Sequence, residues 1–192
     1  MKNTFLVLAI LFLGFINVNA QDEGFSKGDL FVTGSFRIAS ANEGDNKNSV
    51  FDVSPSLAYF LSENIALGGR LTYLNRKSKS QGITTNENTS FGVGTFGRYY
   101  LTPQNKFSIF GELSIDYLRN SNNSSDDSVN TLNFGLGAGL NYFVSKRFSI
   151  EASLAFLNYG ISNSNADDTD SRSVIDFGTD FTNVGLGINY KF

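Results

Sequence analysis

The sequence predicts an all-β protein: an eight-stranded antiparallel up-and-down transmembrane β-barrel, preceded by a cleavable signal peptide. Three observations carry this. Apolar residues recur at every second position through eight segments of about ten residues, the length a tilted strand needs to cross a bilayer. One of the two alternating faces is free of charge in every segment. The connections alternate between short turns and long polar stretches, the pattern of an outer-membrane barrel.

The chain has 192 residues, enough for one domain. Residues 1–20 read as the export signal and residues 21–192 as the barrel. Lys2 is a short positive start, and Phe5 to Phe15 is an apolar run. Val18-Asn19-Ala20 then offers a cleavage site before Gln21. The run is too short for a spanning helix, which needs about 20 apolar residues.

The strands follow in order. Leu30, Val32, Gly34, Phe36 and Ile38 form the first charge-free set, with Phe31, Thr33, Ser35 and Arg37 between them. The second runs from Phe51 to Leu61, the third from Ile65 to Tyr73 and the fourth from Phe91 to Leu101. The fifth runs from Phe107 to Tyr117, the sixth from Leu132 to Tyr142, the seventh from Phe148 to Phe156 and the eighth from Val184 to Phe192. A Lys or Arg at the midplane of a lipid-facing wall costs about 2–4 kcal/mol, which explains the purity of these sets. Pro55 removes a ladder hydrogen bond within the second strand, so a bulge or bend is expected there. Between residues 174 and 182 the parity changes: Ile175, Phe177 and Phe181 share the inward parity and Asp180 the outward one. Either the last strand bulges or this stretch belongs to the fourth loop.

Ser62 to Asn64, Thr102 to Lys106 and Val144 to Lys146 are short turns. Ser40 to Asn48, Ser78 to Asn88, Ser121 to Asn130 and Ser162 to Ser173 are expected to be long outer loops. Tyr59-Phe60-Leu61, Tyr99-Tyr100-Leu101, Tyr142-Phe143-Val144 and Tyr190-Lys191-Phe192 repeat at the turn side, where they are expected to form an aromatic girdle. A soluble eight-stranded barrel would also alternate, but its outer face would carry many Lys and Glu. Here the polar face is mostly Gly, Ser, Ala and Asn, which suits the inside of a narrow barrel filled by side chains.

In this pattern the chain resembles the small outer-membrane barrels typified by the OmpA transmembrane domain and OmpX, grouped as porin-family β-barrel proteins. The resemblance spans nearly all of residues 27–192. Terminal Phe192, Tyr190 two before it and Gly187 five before it resemble the signal read by the barrel-assembly machinery, although Gly185 stands where a polar residue is usual. The resemblance implies residence in the Gram-negative outer membrane, with lipid and lipopolysaccharide around the barrel. It also implies insertion from the periplasm with both chain ends on that side.

The 192 residues include no Cys and no His. Disulfides and thiolate chemistry are thereby excluded. Outer-membrane barrels that are enzymes resemble one another in using a histidine, so a non-catalytic protein without cofactors is expected. No basic block suggests nucleic acid. The inward face carries Arg37, Arg70, Arg98 and Lys191 against Asp52, Glu112, Asp116 and Glu151. Such charges are paired or hydrated inside a narrow barrel. They form either a salt-bridge network that fills the lumen or the lining of a narrow, low-conductance path for ions or small solutes. Asp126, Asp127, Asp167, Asp168 and Asp170 form acidic clusters in the third and fourth loops. They lack the spacing of an EF-hand and read as solvated loop residues. The partner of the loops is not legible.

Overall fold

The computed structural model describes residues 23–122, 128–164, 171–178 and 184–192. The expected signal peptide lies outside these residues, as do Asp126, Asp127, Asp167, Asp168, Asp170, Asp180 and Phe181. The strands are β1 (Leu30–Glu43), β2 (Asn46–Phe60), β3 (Ile65–Ser80), β4 (Ile83–Tyr100), β5 (Phe107–Asn122), β6 (Ser128–Phe143), β7 (Phe148–Ser164), β8 (Arg172–Phe177) and β9 (Gly185–Lys191). Every pairing is antiparallel, and successive strands are neighbours from β1 to β7. Both β8 and β9 pair with β7, and β9 pairs with β1, which closes an eight-stranded barrel. Closure leaves the β1–β9 seam paired from Phe31↔Lys191 to Phe36↔Leu186.

The alternation becomes an inside and an outside. Outward Leu71, Val93 and Leu113 are 57–64% exposed. A belt of this size on a soluble monomer would be anomalous; against lipid it is the expected wall. Two aromatic girdles bound it. At the turn end, Phe148, Tyr190 and Phe192 pack edge to face with ring centroids 5.0 Å apart. At the other end, the Phe51–Tyr73 and Tyr73–Phe91 rings lie 6.4 and 5.0 Å apart. Phe51 and Tyr59 are separated by about 27 Å of strand, roughly 20 Å along the normal at ~40° tilt, near the ~25 Å band of such barrels. No described helix is long and apolar enough to cross a membrane.

Three expectations are corrected. The first two long loops are mostly ladder. β1 and β2 pair up to Glu43↔Asn46, and β3 and β4 up to Ser80↔Ile83. At the second tip Gln81 and Gly82 both have positive φ (51° and 80°), as a two-residue hairpin turn matched to strand twist requires. Polar composition here marks solvent-facing strand, because both faces of the barrel above the membrane are wet.

Pro55 makes no bulge. Pairing with β3 lapses at Ser54 and Pro55 and resumes in the same register, from Val53↔Tyr73 to Ser56↔Arg70. The bulge falls instead on Phe156, between Ala155↔Gly137 and Leu157↔Leu136. It reverses the parity of β7, so the outward set continues as Leu157, Tyr159 and Ile161.

That reversal decides the eighth strand. Ser153 and Leu157 lie four positions apart on β7, whereas their partners Gly185 and Phe177 lie eight positions apart. β8 and β9 therefore both pair with β7, in different registers. Ile175 and Phe177 pair with Tyr159 and Leu157 on the outward side, while Asp176 pairs with Asn158 inside.

The third correction concerns the aromatic triplets. Their first members form the girdle, but the middle ones, Phe60, Tyr100 and Phe143, point into the barrel. With Phe25, Phe31 and Phe110 they form a floor in which each ring is at most 1% exposed. Phe25 precedes the first strand; its ring centroid lies 4.8 Å from those of Phe31, Phe60 and Phe143, stacked on Phe60 and edge to face with Phe143. Its backbone is fastened by Phe25 N–H donating to the Pro103 carbonyl at 2.7 Å.

Candidate functional site

Immediately above the aromatic floor lies the charged layer. Arg98 on β4 projects inward because Arg98 is register partner to Ala66 on β3 and Glu112 on β5, both inward positions. Its Nε donates to Glu112 Oε2 at 2.7 Å. Its two terminal nitrogens donate to the two Glu151 oxygens at 2.9 and 3.2 Å. The guanidinium sits over the Phe110 and Phe96 rings, 4.4 and 4.9 Å from their centroids. Arg98 is 5% exposed and so is Glu151. At this burial both charges are sustained by each other: a planar fork against a carboxylate, with π-faces covering the guanidinium.

The layer extends on both sides. Arg70 donates to Glu112 Oε1 at 2.6 Å and brings its Nε to 3.1 Å from Asp116 Oδ1. On the other side Asn189 Nδ2 donates to Glu151 Oε2 at 3.1 Å, Asn141 Oδ1 at 2.9 Å and Ser149 Oγ at 3.1 Å. The chain Asp116–Arg70–Glu112–Arg98–Glu151–Asn189–Asn141 thus crosses the lumen. A pocket of about 210 Å³ remains beside it, lined in part by Arg70, Glu112, Asp116, Ser114 and Asn158.

Of the residues singled out from sequence, five meet in this network: Arg70, Arg98, Glu112, Asp116 and Glu151. Arg37 and Asp52 are direct register partners and pair at 2.8 Å, as a separate unit with Ser54 on Asp52. Lys191 stands apart. It donates to the Gly24 carbonyl at 2.6 Å and approaches Asp29 at 3.4 Å, so it secures the N-terminal segment under the floor. Tyr190 belongs to the girdle and receives a hydrogen bond from Arg147 at 3.1 Å. Phe192 N–H donates to the Leu30 carbonyl at 3.0 Å.

Gly187 makes room for a neighbour in the lumen. A Cβ there would lie 2.8 Å from Glu151 Cγ, so the glycine provides the space that Glu151 occupies. Likewise a Cβ at Gly139 would collide with the Phe110 ring. Asn141, Asn189 and Phe25 were not anticipated. The two asparagines share the inward parity and were legible as lumen residues; Phe25 lies in no periodic segment. Among the described residues no group of three His, Cys, Asp or Glu is placed to hold a metal.

The family model described as "Outer membrane protein beta-barrel domain" matches residues 8–192. No curated protein sequence matches the chain. Among solved structures, the outer membrane protein OprG from Pseudomonas aeruginosa is similar over 90% of this chain and 99% of its own, at 15% identity and TM-score 0.54. Outer Membrane Protein W of E. coli is similar over 87% and 99%, at 13% identity and TM-score 0.53. Neisserial surface protein A is similar over 85% and 97%, at 17% identity and TM-score 0.51. Such low identities speak to the fold alone, and that fold is the one built above from strand register. With the family model covering nearly the whole length, the chain belongs to the outer membrane protein β-barrel family.

Proposed function

We propose that this barrel is a filled, non-catalytic scaffold that spans the outer membrane and displays extended hairpins on the far side from its chain ends. Family membership implies the Gram-negative outer membrane. In this reading residues 1–20 are the export signal, removed before Gln21. Gly187, Tyr190 and Phe192 are read by the assembly machinery, and lipid and lipopolysaccharide surround the wall.

The observation that carries the reading is the stacking of two closed layers: the aromatic floor around Phe25, and directly above it Arg98 clamped between Glu112 and Glu151. An ion crossing the lumen would have to displace both. Eight strands leave an interior just wide enough for side chains, so a plug is the economical arrangement. The test is conductance of the purified barrel in a planar bilayer. The expected record is flat. Reproducible single-channel steps that vanish in Arg70→Ala or Glu112→Ala would overturn the plug and favour a narrow pore.

A further inference from the structure

The outer wall above the upper girdle concentrates positive charge on β2 to β5. Lys47 and Lys79 are direct cross-strand partners. Like charges placed opposite each other repel. Neither forms an ion pair among the described residues. Lys77 shares their face and is paired with Glu87 at 2.9 Å. Arg119, opposite Phe91 at girdle level, is exposed. Four cations thus meet one acid, Glu87, on the outward face of this band among the described residues.

The charge is spread in height. Tyr73 and Lys79 lie six residues apart on one face of β3, about 20 Å of strand and roughly 15 Å along the normal at ~40° tilt. A phospholipid headgroup layer is only about 5–8 Å deep per leaflet. The anion that answers both Arg119 and the Lys47–Lys79 pair is therefore taller than a phospholipid headgroup.

Below the patch the lipid-facing wall has a groove of about 550 Å³, lined by Leu67, Thr95, Gly97, Leu113, Ile115 and Phe134. It forms where Gly97 stands between Leu67 and Leu113, its register partners on either side. Leu113, Ile115, Tyr117 and Arg119 follow one another on the outward side of β5. From Leu113 to Arg119 is again about 20 Å of strand, roughly 15 Å along the normal, or half the ~30 Å hydrocarbon core. An acyl chain in the groove would bring its headgroup to Arg119.

We propose that this face binds a phosphorylated glycolipid of the outer leaflet, with one acyl chain in the groove over Gly97 and the sugar-phosphate headgroup reaching from Arg119 to Lys47 and Lys79. The inference rests on the outer-membrane orientation proposed above; the site is on the outer wall and does not depend on whether the lumen conducts.

The experiment uses the full barrel in detergent with rough lipopolysaccharide, the same glycolipid after dephosphorylation, and phosphatidylglycerol as probes, read by native mass spectrometry. Binding of the phosphorylated glycolipid at least tenfold tighter than of the other two is expected. Lys47→Glu/Lys79→Glu and Arg119→Glu should each remove about tenfold. Gly97→Leu should weaken both glycolipid forms; its new Cβ would lie 3.1 Å from a flexible Leu67 methyl, so the wall tolerates it. Heat-shifted gel migration confirms that each variant is folded. Equal binding of phosphatidylglycerol, indifference to dephosphorylation, unchanged binding in the folded charge variants, or self-association of the barrel through this face would each overturn the proposal.

Discussion

Arg98 and Glu151, 53 residues apart in sequence and on strands that are not neighbours, join in a two-point contact across the lumen. Both are almost fully buried, and Glu151 has no other ion pair among the described residues, so removal of Arg98 strands Glu151, whereas removal of Glu151 leaves Arg98 on Glu112. Arg98→Met should cost about 3–5 kcal/mol in urea unfolding of the micelle-embedded barrel. The double variant Arg98→Met/Glu151→Met should recover a substantial part of that loss, since no unpaired charge remains between them. A double variant less stable than the sum of the singles would contradict this account.

The packing role of Gly187 and the assembly role proposed for it act at different stages. If its absent side chain makes room for Glu151, Gly187→Ala should destabilise the folded barrel by about 1–3 kcal/mol through overpacking. The loss should appear in refolding from urea into micelles, where no assembly machinery is present. A defect confined to assembly in cells, with unfolding in vitro unchanged, would leave only the signal role.

The membrane band can be mapped by charge. Leu113 is 64% exposed on the wall midway between the girdles, and Leu101 is 59% exposed at the turn-side rim. Leu113→Arg should cost about 2–4 kcal/mol and Leu101→Arg about 0–1 kcal/mol. Similar costs at the two positions, measured by unfolding in lipid vesicles, would mean the band is misplaced.

Above the membrane, the hydrogen bond from Lys77, with a second from Asn75, holds the Glu87 carboxyl below its ordinary range. A lowered folded-state pKa contributes stability above the unfolded carboxylate value, and that contribution is lost as pH falls through the folded value. The Glu87 carboxyl resonance should therefore titrate at lower pH than a free glutamate. Lys77→Met should move it upward. An unchanged midpoint in that variant would rule out the pairing in solution.

Much of this was legible in the chain. The period of two assigns Leu113 outward and Glu112 inward without any structure, because a strand offers a side chain only two directions. Arg37 and Asp52 could be matched by counting from the shared hairpin, since an antiparallel ladder fixes register locally. Phe60, Tyr100 and Phe143 were visible but misread: each shares the inward parity, yet lies beside a girdle tyrosine that drew the same aromatic reading. Phe156 was misread because a one-residue bulge leaves no mark in an alternating pattern where small and apolar residues are mixed.

By itself the sequence determined the strand count, the charge-free wall and the set of charges that must lie inside, because alternation and the cost of charge in lipid act residue by residue. Only the tertiary structure decided which charges meet. Barrel closure brings β7 across from β4, places Glu151 against Arg98, and sets Phe25 into the floor with Lys191 fastening the adjacent Gly24 carbonyl. These contacts depend on distances across a closed lumen, which no local periodicity encodes. It also decided that Ile175 and Phe177 face outward, since their side was set by a bulge on the neighbouring strand and not by their own parity.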